Sequence, residues 1–314
     1  MSKIGIALGG GGARGLAHIG VLRVLERHKV PLDCIAGTSM GAIVGACYAV
    51  EPNVEAVEQR LNRAMSSPLF SKMKFDYLKE TKPESKKSFL RKAQEFVKNG
   101  YLLFVEKTQD ALLDLEVMEQ VLSILLPDIK ISQTKVPFTC VATDLTEGKK
   151  KIFTEGSLRK CVLASASIPG VFPPVKIDGV YYSDGGAVSS TPVDAAQRMG
   201  AGFIIASDVK GKIVRCDKPE KASEIMSRCN YITGMLLNEV QLQNASVVIS
   251  PDVKYFHWTD FDRIGLLVQK GEDAAQHKIL EIKAKTKYRT LREKLLGLFG
   301  LGKVRQSSAG GIDV

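Results

Sequence analysis

The sequence has no Cys-x-x-Cys pair, no internal repeat and no apolar run of the roughly 18 residues needed to span a bilayer. Its six cysteines, at 34, 47, 140, 161, 216 and 229, are widely scattered. That scatter argues against a disulfide framework or a thiolate metal site and reads as buried free thiols in a reducing compartment. The opening "MSKIGIALGGGG" carries one lysine and an apolar stretch too short for a secretory signal core. A cytoplasmic protein is expected, with peripheral contact on the inner membrane face left open. Histidine is scarce, at four residues, which narrows any search for an imidazole base. Acidic residues are outnumbered, giving a formal charge of +10. No aromatic interleaving or recognition motif accompanies that charge, so nucleic acid is not expected as a partner. An anionic lipid surface or an acidic substrate fits it equally well.

What is present is an α/β pattern. "KIGIAL" (3–8) predicts a buried strand, and "LAHIGVLRVLERHKV" (16–30) has the spacing of an amphipathic helix. "CIAGTS" predicts a second strand and "MGAIVGACYAV" a small-residue helix for close packing on a sheet. Strand, helix, strand, helix implies a mostly parallel sheet. Residues 62–113 are lysine-rich, with Phe89, Ala93, Phe96 and Leu103 near helical spacing, and read as a helical cap-like insertion. "LEVMEQVLSILL" predicts a helix ending before Pro127. "VPFTCVATDL" and "KKIFTEG" predict strands joined by a turn at Thr-Glu-Gly, followed by a helix "SLRKCVLASAS". "IPGVFPPVKIDGVYYSDGG" predicts a surface hairpin. Two more β-rich runs, "GFIIASDV" and "ASVVISPDV", flank a helix at 219–242. Residues 278–305 hold nine Lys/Arg against two Glu, with Leu291, Leu295, Leu298 and Phe299 on one side. This basic amphipathic helix suits either packing on the body or contact with an anionic membrane. A disordered tail is expected over 306–314.

Two glycine motifs carry the chemistry. In "LGGGGARGLAH", glycines between a strand and a helix let backbone N–H groups converge on a negative charge. Gly10, Gly12 and Gly15 also fit G-x-G-x-x-G. A dinucleotide site wants an acidic residue at the far end of the second strand, whereas Asp33 precedes that strand. The oxyanion reading is therefore preferred to a cofactor, and neither a cofactor nor a metal is expected. The second motif, Gly37-Thr38-Ser39-Met40-Gly41, is a G-x-S-x-G at a strand-to-helix turn. Small residues there permit the strained nucleophile elbow that presents a serine hydroxyl at the carboxyl end of a sheet.

A nucleophilic serine needs a base. His18 and His28 lie in the first helix, His18 on its apolar side near the glycine loop; His277 is in the basic helix, and the surroundings of His257 look structural. Asp184 in "YYSDGG" is the alternative, since a buried carboxyl with a raised pKa can serve as a base. Local sequence alone leaves it evenly poised between that role and an ordinary Asp-Gly turn.

The motifs "GGGARG", "GTSMG", "ASASIPGVFPP" and "DGG", in this order, resemble the bacterial patatin-like phospholipases, as does "FDRIGLLVQKGEDAA" (261–275). The resemblance covers about 1–275. It implies a three-layer α/β/α fold over 1–277 and a lipid acyl hydrolase with a Ser-Asp dyad and no catalytic histidine. Carried across, it makes Ser39 the nucleophile and Asp184 the base. Gly10, Gly11, Gly12, Ala13, Arg14 and Gly15 become the oxyanion loop, Gly37, Met40 and Gly41 the elbow, and Gly185 and Gly186 the aspartate's turn. A lipid or acyl-ester substrate follows. The alternatives are a thioesterase or acyltransferase acting on acyl-carrier protein or acyl-coenzyme A, and a lipid-surface binding module without turnover.

Overall fold

The computed structural model describes residues 3–73, 113–210, 213 and 222–298. Strand β1 (Lys3–Leu8) leads through a 3₁₀ turn (Gly12–Leu16) into α1 (Ala17–Arg27), and β2 (Cys34–Thr38) into α2 (Met40–Val50). Three further helices follow: α3 (Val54–Met65), α4 (Pro68–Lys72) and α5 (Leu115–Leu125). Next come β3 (Phe138–Asp144), β4 (Lys149–Phe153), α6 (Leu158–Ala166), β5 (Val175–Ile177) and β6 (Val180–Asp184). The chain closes with α7 (Val193–Arg198), β7 (Ala201–Ser207), α8 (Ala222–Leu242), β8 (Val247–Ile249) and α9 (Ile264–Leu298).

The eight strands form one sheet in the order β5-β6-β3-β2-β1-β7-β8, with β4 paired to β3. Every pairing from β3 through β8 is parallel; β4, β5 and β6 add an antiparallel edge. Parallel strands are covered on both faces, which is why β2 is buried along its whole length. One face carries α1, α2, α3, α5, α6 and α9 over Ile6, Leu8 and Ile35. The other carries α7 and the end of α8 over Ala7, Ala36, Ile204 and Ala206.

The expected helix 16–30 stops at Arg27, because Lys29 turns the chain with φ 54°. The hairpin expected at the surface reaches it at Lys176, Tyr181 and the Asp178-Gly179 turn, where both turn residues have positive φ. Its far end is buried at Tyr182, Ser183 and Asp184, because β6 pairs with β3 inside the sheet.

Helix α9 is continuous across 277/278, so the basic stretch extends a core helix through Leu298; the side chains beyond Thr286 and the tail 306–314 lie outside the described residues. Its first half is fixed to α1 at a glycine crossing. A Cβ on Gly20 would stand 2.0 Å from the Val268 carbonyl oxygen, and one on Gly271 1.9 Å from that of Ala17. Arg23 locks the crossing by binding Glu58 and Glu272. Of the insertion expected over 62–113, residues 62–73, which hold the end of α3 and all of α4, and Leu113 are described; Phe89, Ala93, Phe96 and Leu103 lie outside the described residues. Cys34, Cys47, Cys140 and Cys161 are buried free thiols and Cys229 is free and exposed, with Cys216 outside the described residues. No helix among the described residues is long and apolar enough to cross a membrane.

Candidate active site

Ser39 caps the N-terminus of α2 at the carboxyl end of β2, with φ 55° and ψ −125°. A non-glycine residue holds such a conformation only where its surroundings impose it. Here the imposition is steric. A Cβ on Gly41 would lie 2.1 Å from the Leu8 carbonyl oxygen, and one on Gly37 2.5 Å from Cα of Ala42. The elbow therefore folds back on β1 with no room for side chains at either glycine. Ser165 of α6 pins it further: its hydroxyl accepts from the Ser39 N–H at 3.1 Å and donates to the Val141 carbonyl at 2.6 Å.

Asp184 reaches Ser39 through the register of β3. Strand β4 takes one edge of β3 over 140–144, so β2 and β6 must share the other edge. Thr38 pairs with Val141, and Asp184 pairs with the next residue, Ala142. The last residue of β2 and the last of β6 thus meet end to end on consecutive positions of one strand. Both side chains are nearly inaccessible, each at 6% exposure. Asp184 Oδ1 accepts from the Gly186 N–H at 2.7 Å, while buried Oδ2 has no hydrogen-bond partner among the described residues. Burial drives the Asp184 pKa up to about 6. The neighbouring Ser39 hydroxyl, the Gly186 N–H and the charge of Lys210 each offset part of that rise. The hydroxyl's stabilising effect and the unpartnered Oδ2 are compatible: the two groups are neighbours, but without full hydrogen-bond geometry at rest.

The glycine loop lies against this pair; a Cβ on Gly10 would be 3.1 Å from that of Ser39. Not every loop N–H is available to a ligand. Gly10 donates to the Ser190 carbonyl at 2.9 Å and Ala13 to that of Trp258 at 2.7 Å. Gly11 and Gly12 have no such backbone acceptor among the described residues, so the donor set narrows to them. Gly12 has φ 56° and faces the Trp258 carbonyl, where a Cβ would stand at 2.4 Å. Gly15 packs against the Met40 side chain. Arg14 turns away from Ser39, donating to the carbonyls of Gly11 at 3.4 Å and Lys210 at 3.1 Å.

The histidines are occupied elsewhere. His18 is fully buried, its Nε2–H donating to the Gly9 carbonyl at 2.7 Å, which leaves Nδ1 to accept from Ser207 at 2.8 Å. Burial lowers its pKa to about 4. His257 pairs with Thr259 at 2.7 Å, His28 accepts from Lys283 at 3.1 Å, and His277 is exposed.

Two walls meet at Ser39. One is an apolar pocket, partly open to solvent, lined by Met40, Ile43, Leu61, Met118, Val121 and Phe172 among others, with Ser39 also in its lining. The other is charged. Lys210 donates from its backbone to Asp208 at 3.2 Å, and its carbonyl accepts from Arg14 and from Tyr231 at 3.4 Å. Its ammonium is packed against Gly234, whose added Cβ would lie 3.0 Å away. Burial lowers the Lys210 pKa, and Asp208 and Asp184 pull against that. No group of His, Cys, Asp and Glu suited to a metal ion occurs among the described residues. Sequence reasoning missed Ser165 and Lys210. Ser165 lay inside the quoted "ASASIPG" motif, whereas no local signal marks Lys210.

The profile of the patatin-like phospholipases matches residues 6–196, which contain both Ser39 and Asp184. The chain belongs to the patatin-like phospholipase family. It is 32% identical over 210 residues to the neuropathy target esterase sws of Drosophila melanogaster, covering 66% of this chain and 13% of that protein. It is also 32% identical over 213 residues to human patatin-like phospholipase domain-containing protein 6, covering 66% of this chain and 13% of that one. An uncharacterised NTE family protein of Mycobacterium tuberculosis is 30% identical over 239 residues, or 75% of this chain and 58% of the relative. The chain thus spans about an eighth of the large animal relatives and somewhat over half of the mycobacterial one. Among solved structures, VipD from Legionella pneumophila aligns with a TM-score of 0.47 and 15% identity, over 88% of this chain and 66% of that one.

Proposed function

We propose that this patatin-like protein hydrolyses fatty acyl esters of lipids or phospholipids through an acyl-serine intermediate, with Ser39 as nucleophile and Asp184 as general base. The observation that carries the reading is the end-to-end meeting of β2 and β6 on β3, beside an apolar cavity that begins at Ser39. A fatty acyl chain lies along that apolar lining and sets its ester carbonyl at the elbow. Asp184 Oδ2, free of other partners, takes the hydroxyl proton as Ser39 Oγ attacks the carbonyl carbon. The developing oxyanion accepts from the N–H groups of Gly11 and Gly12, an interaction worth about 3 kcal/mol per donor. Collapse breaks the ester C–O bond, and Asp184 returns the proton to the departing alcohol. Water then attacks the acyl-serine, gives its proton to Asp184, and releases the fatty acid while Ser39 is reprotonated.

The test is hydrolysis of a monomeric nitrophenyl ester by the wild type, Ser39→Ala and Asp184→Asn. Turnover in either variant within about tenfold of wild type refutes the dyad. Loss on His257→Ala with full activity in Asp184→Asn restores a histidine mechanism. Parallel assays on phospholipid, lysophospholipid and acyl thioester assign the acyl donor. Rapid thioester turnover without ester turnover would convert the reading to a thioesterase, and no turnover on any of them would leave a lipid-binding module.

A further inference from the structure

Helix α8 is amphipathic the wrong way round. At about 100° per residue, Ile225, Met226, Cys229, Thr233, Leu236, Leu237 and Val240 fall within an arc of about 120°. The five large apolar residues of this arc are all exposed, Met226 at 67%, Val240 at 58% and Leu236 at 54%. Glu224, Arg228 and Glu239, the helix's only charged residues, all fall outside the arc. The opposite side faces the protein and is largely polar. Tyr231 donates to the Lys210 carbonyl, Asn238 bridges the Thr191 N–H and Asp208, and Gln241 donates to the Val188 carbonyl. A surface helix of a globular protein normally buries its apolar stripe and exposes its polar one.

We propose that this outward face of α8 docks the protein on a lipid surface, with the mouth of the Ser39 site at the rim of the contact. The inference rests on the reading of a lipid acyl substrate. Three observations select lipid over a protein partner. First, the inner face of α8 holds the loops that follow Asp184 and β7, so the helix that carries the exposed stripe packs on the loops of the site. Second, the arc carries no charged group to set the register of a partner chain, and a lipid interface needs none. Third, described side chains suited to headgroups stand in the segment that leads to the cavity-lining Trp258 and Phe261: Tyr255 is 80% exposed, with the Lys254 ammonium 4.9 Å over its ring. Tyrosine and lysine are the side chains that settle at the headgroup level.

The test is co-sedimentation of the full chain with vesicles of phosphatidylcholine and phosphatidylglycerol. Leu236→Glu/Val240→Glu should lower the partition coefficient by at least about tenfold. Leu280→Glu, a matched change on the exposed side of α9, should leave it unaltered. The double variant should keep its thermal midpoint and its turnover of a monomeric nitrophenyl ester, which separates docking from folding and from chemistry. Unchanged partition in the double variant overturns the proposal. So does binding that is lost only in Arg292→Glu/Lys294→Glu, which assigns the membrane to the basic C-terminal stretch. A wild-type dimer that the double variant dissociates, with vesicle binding intact, gives the face to a second copy of the chain. A wild type that cleaves the monomeric ester but does not sediment overturns docking alone. Sedimentation through α8 without Ser39-dependent turnover supports docking and removes the catalytic reading instead.

Discussion

On one side of Ser39 the cavity wall is Ile43, Leu61, Met118, Val121 and Phe172, while on the other Asp184, Asp208, Lys210 and Arg14 crowd into a few loops. The apolar wall has nothing to offer a charge, and the charged wall has little surface to offer an acyl chain. Their junction nevertheless needs both. Exclusion of water lifts the Asp184 pKa to about 6, close enough to neutrality for useful basicity, and the Ser39 hydroxyl, the Gly186 N–H and, least, the Lys210 charge keep it from rising further. His18 lies near the same junction and goes the opposite way, held neutral with a pKa of about 4. Burial penalises whichever form is charged, so one environment makes the carboxyl more basic and the imidazole less so.

The largest expected effect comes from breaking the junction. Ser39→Ala and Asp184→Asn should each lower kcat by about 10⁴-fold on a soluble nitrophenyl ester. Asp184→Asn should at the same time stabilise the fold. The folded carboxyl titrates near 6 against 3.8 in the unfolded chain, so the native state binds more protons between those values. Stability contributed by Asp184 is therefore present at low pH and lost as pH rises from about 4 to about 6. At pH 7 the asparagine variant should gain up to about 3 kcal/mol in urea unfolding, the upper bound set by that shift, and the gain should vanish below about pH 4. A destabilised asparagine variant at pH 7 would contradict the burial argument.

A change in the apolar wall alone should act on selectivity. Val121 is 4% exposed on α5 and lines the cavity. Val121→Trp would shorten the space for an acyl tail, so the ratio of long-chain to butyryl ester kcat/KM should fall by about tenfold or more with butyryl turnover retained. Equal losses on both esters would show that the cavity does not hold the chain.

The difference between the walls also explains what was legible in the sequence. Ser39 and its glycines are neighbours in the chain, and the strand-turn-helix geometry they need is written locally in G-T-S-M-G. Asp184 lies 145 residues further on, and its partnership with Ser39 depends on β2 and β6 sharing one edge of β3, a register no local pattern encodes. Local sequence accordingly left it ambiguous, and the resemblance selected it. The glycine loop was recognised as a set of donors, but the commitment of Gly10 and Ala13 to Ser190 and Trp258 arises from segments about 180 and 245 residues away. Ser165 sits within a motif that does not reveal its role, and Lys210 has no motif at all. Helix α8 shows the reverse failure: its apolar period is plain, but periodicity identifies a stripe without saying which way it faces.

The smallest expected effect tests the charged wall by itself. Because Asp184 must be ionised to accept the Ser39 proton, kcat/KM should decline as pH falls through about 6. Lys210 favours the ionised form, so Lys210→Met should move that acid limb to higher pH, while kcat on the plateau above it changes little. Lys210→Arg, which keeps the charge, should restore the limb. Gly234→Ala offers an independent route, since its new methyl would stand 3.0 Å from the ammonium and displace it without altering any charge. The displacement should be modest because the lysine is only partly buried and solvent screens it, and for the same reason added salt should narrow the gap between wild type and Lys210→Met. A limb that stays put in both Lys210→Met and Gly234→Ala would mean that burial alone sets the basicity of Asp184, and that the charged wall serves only to hold the loops together.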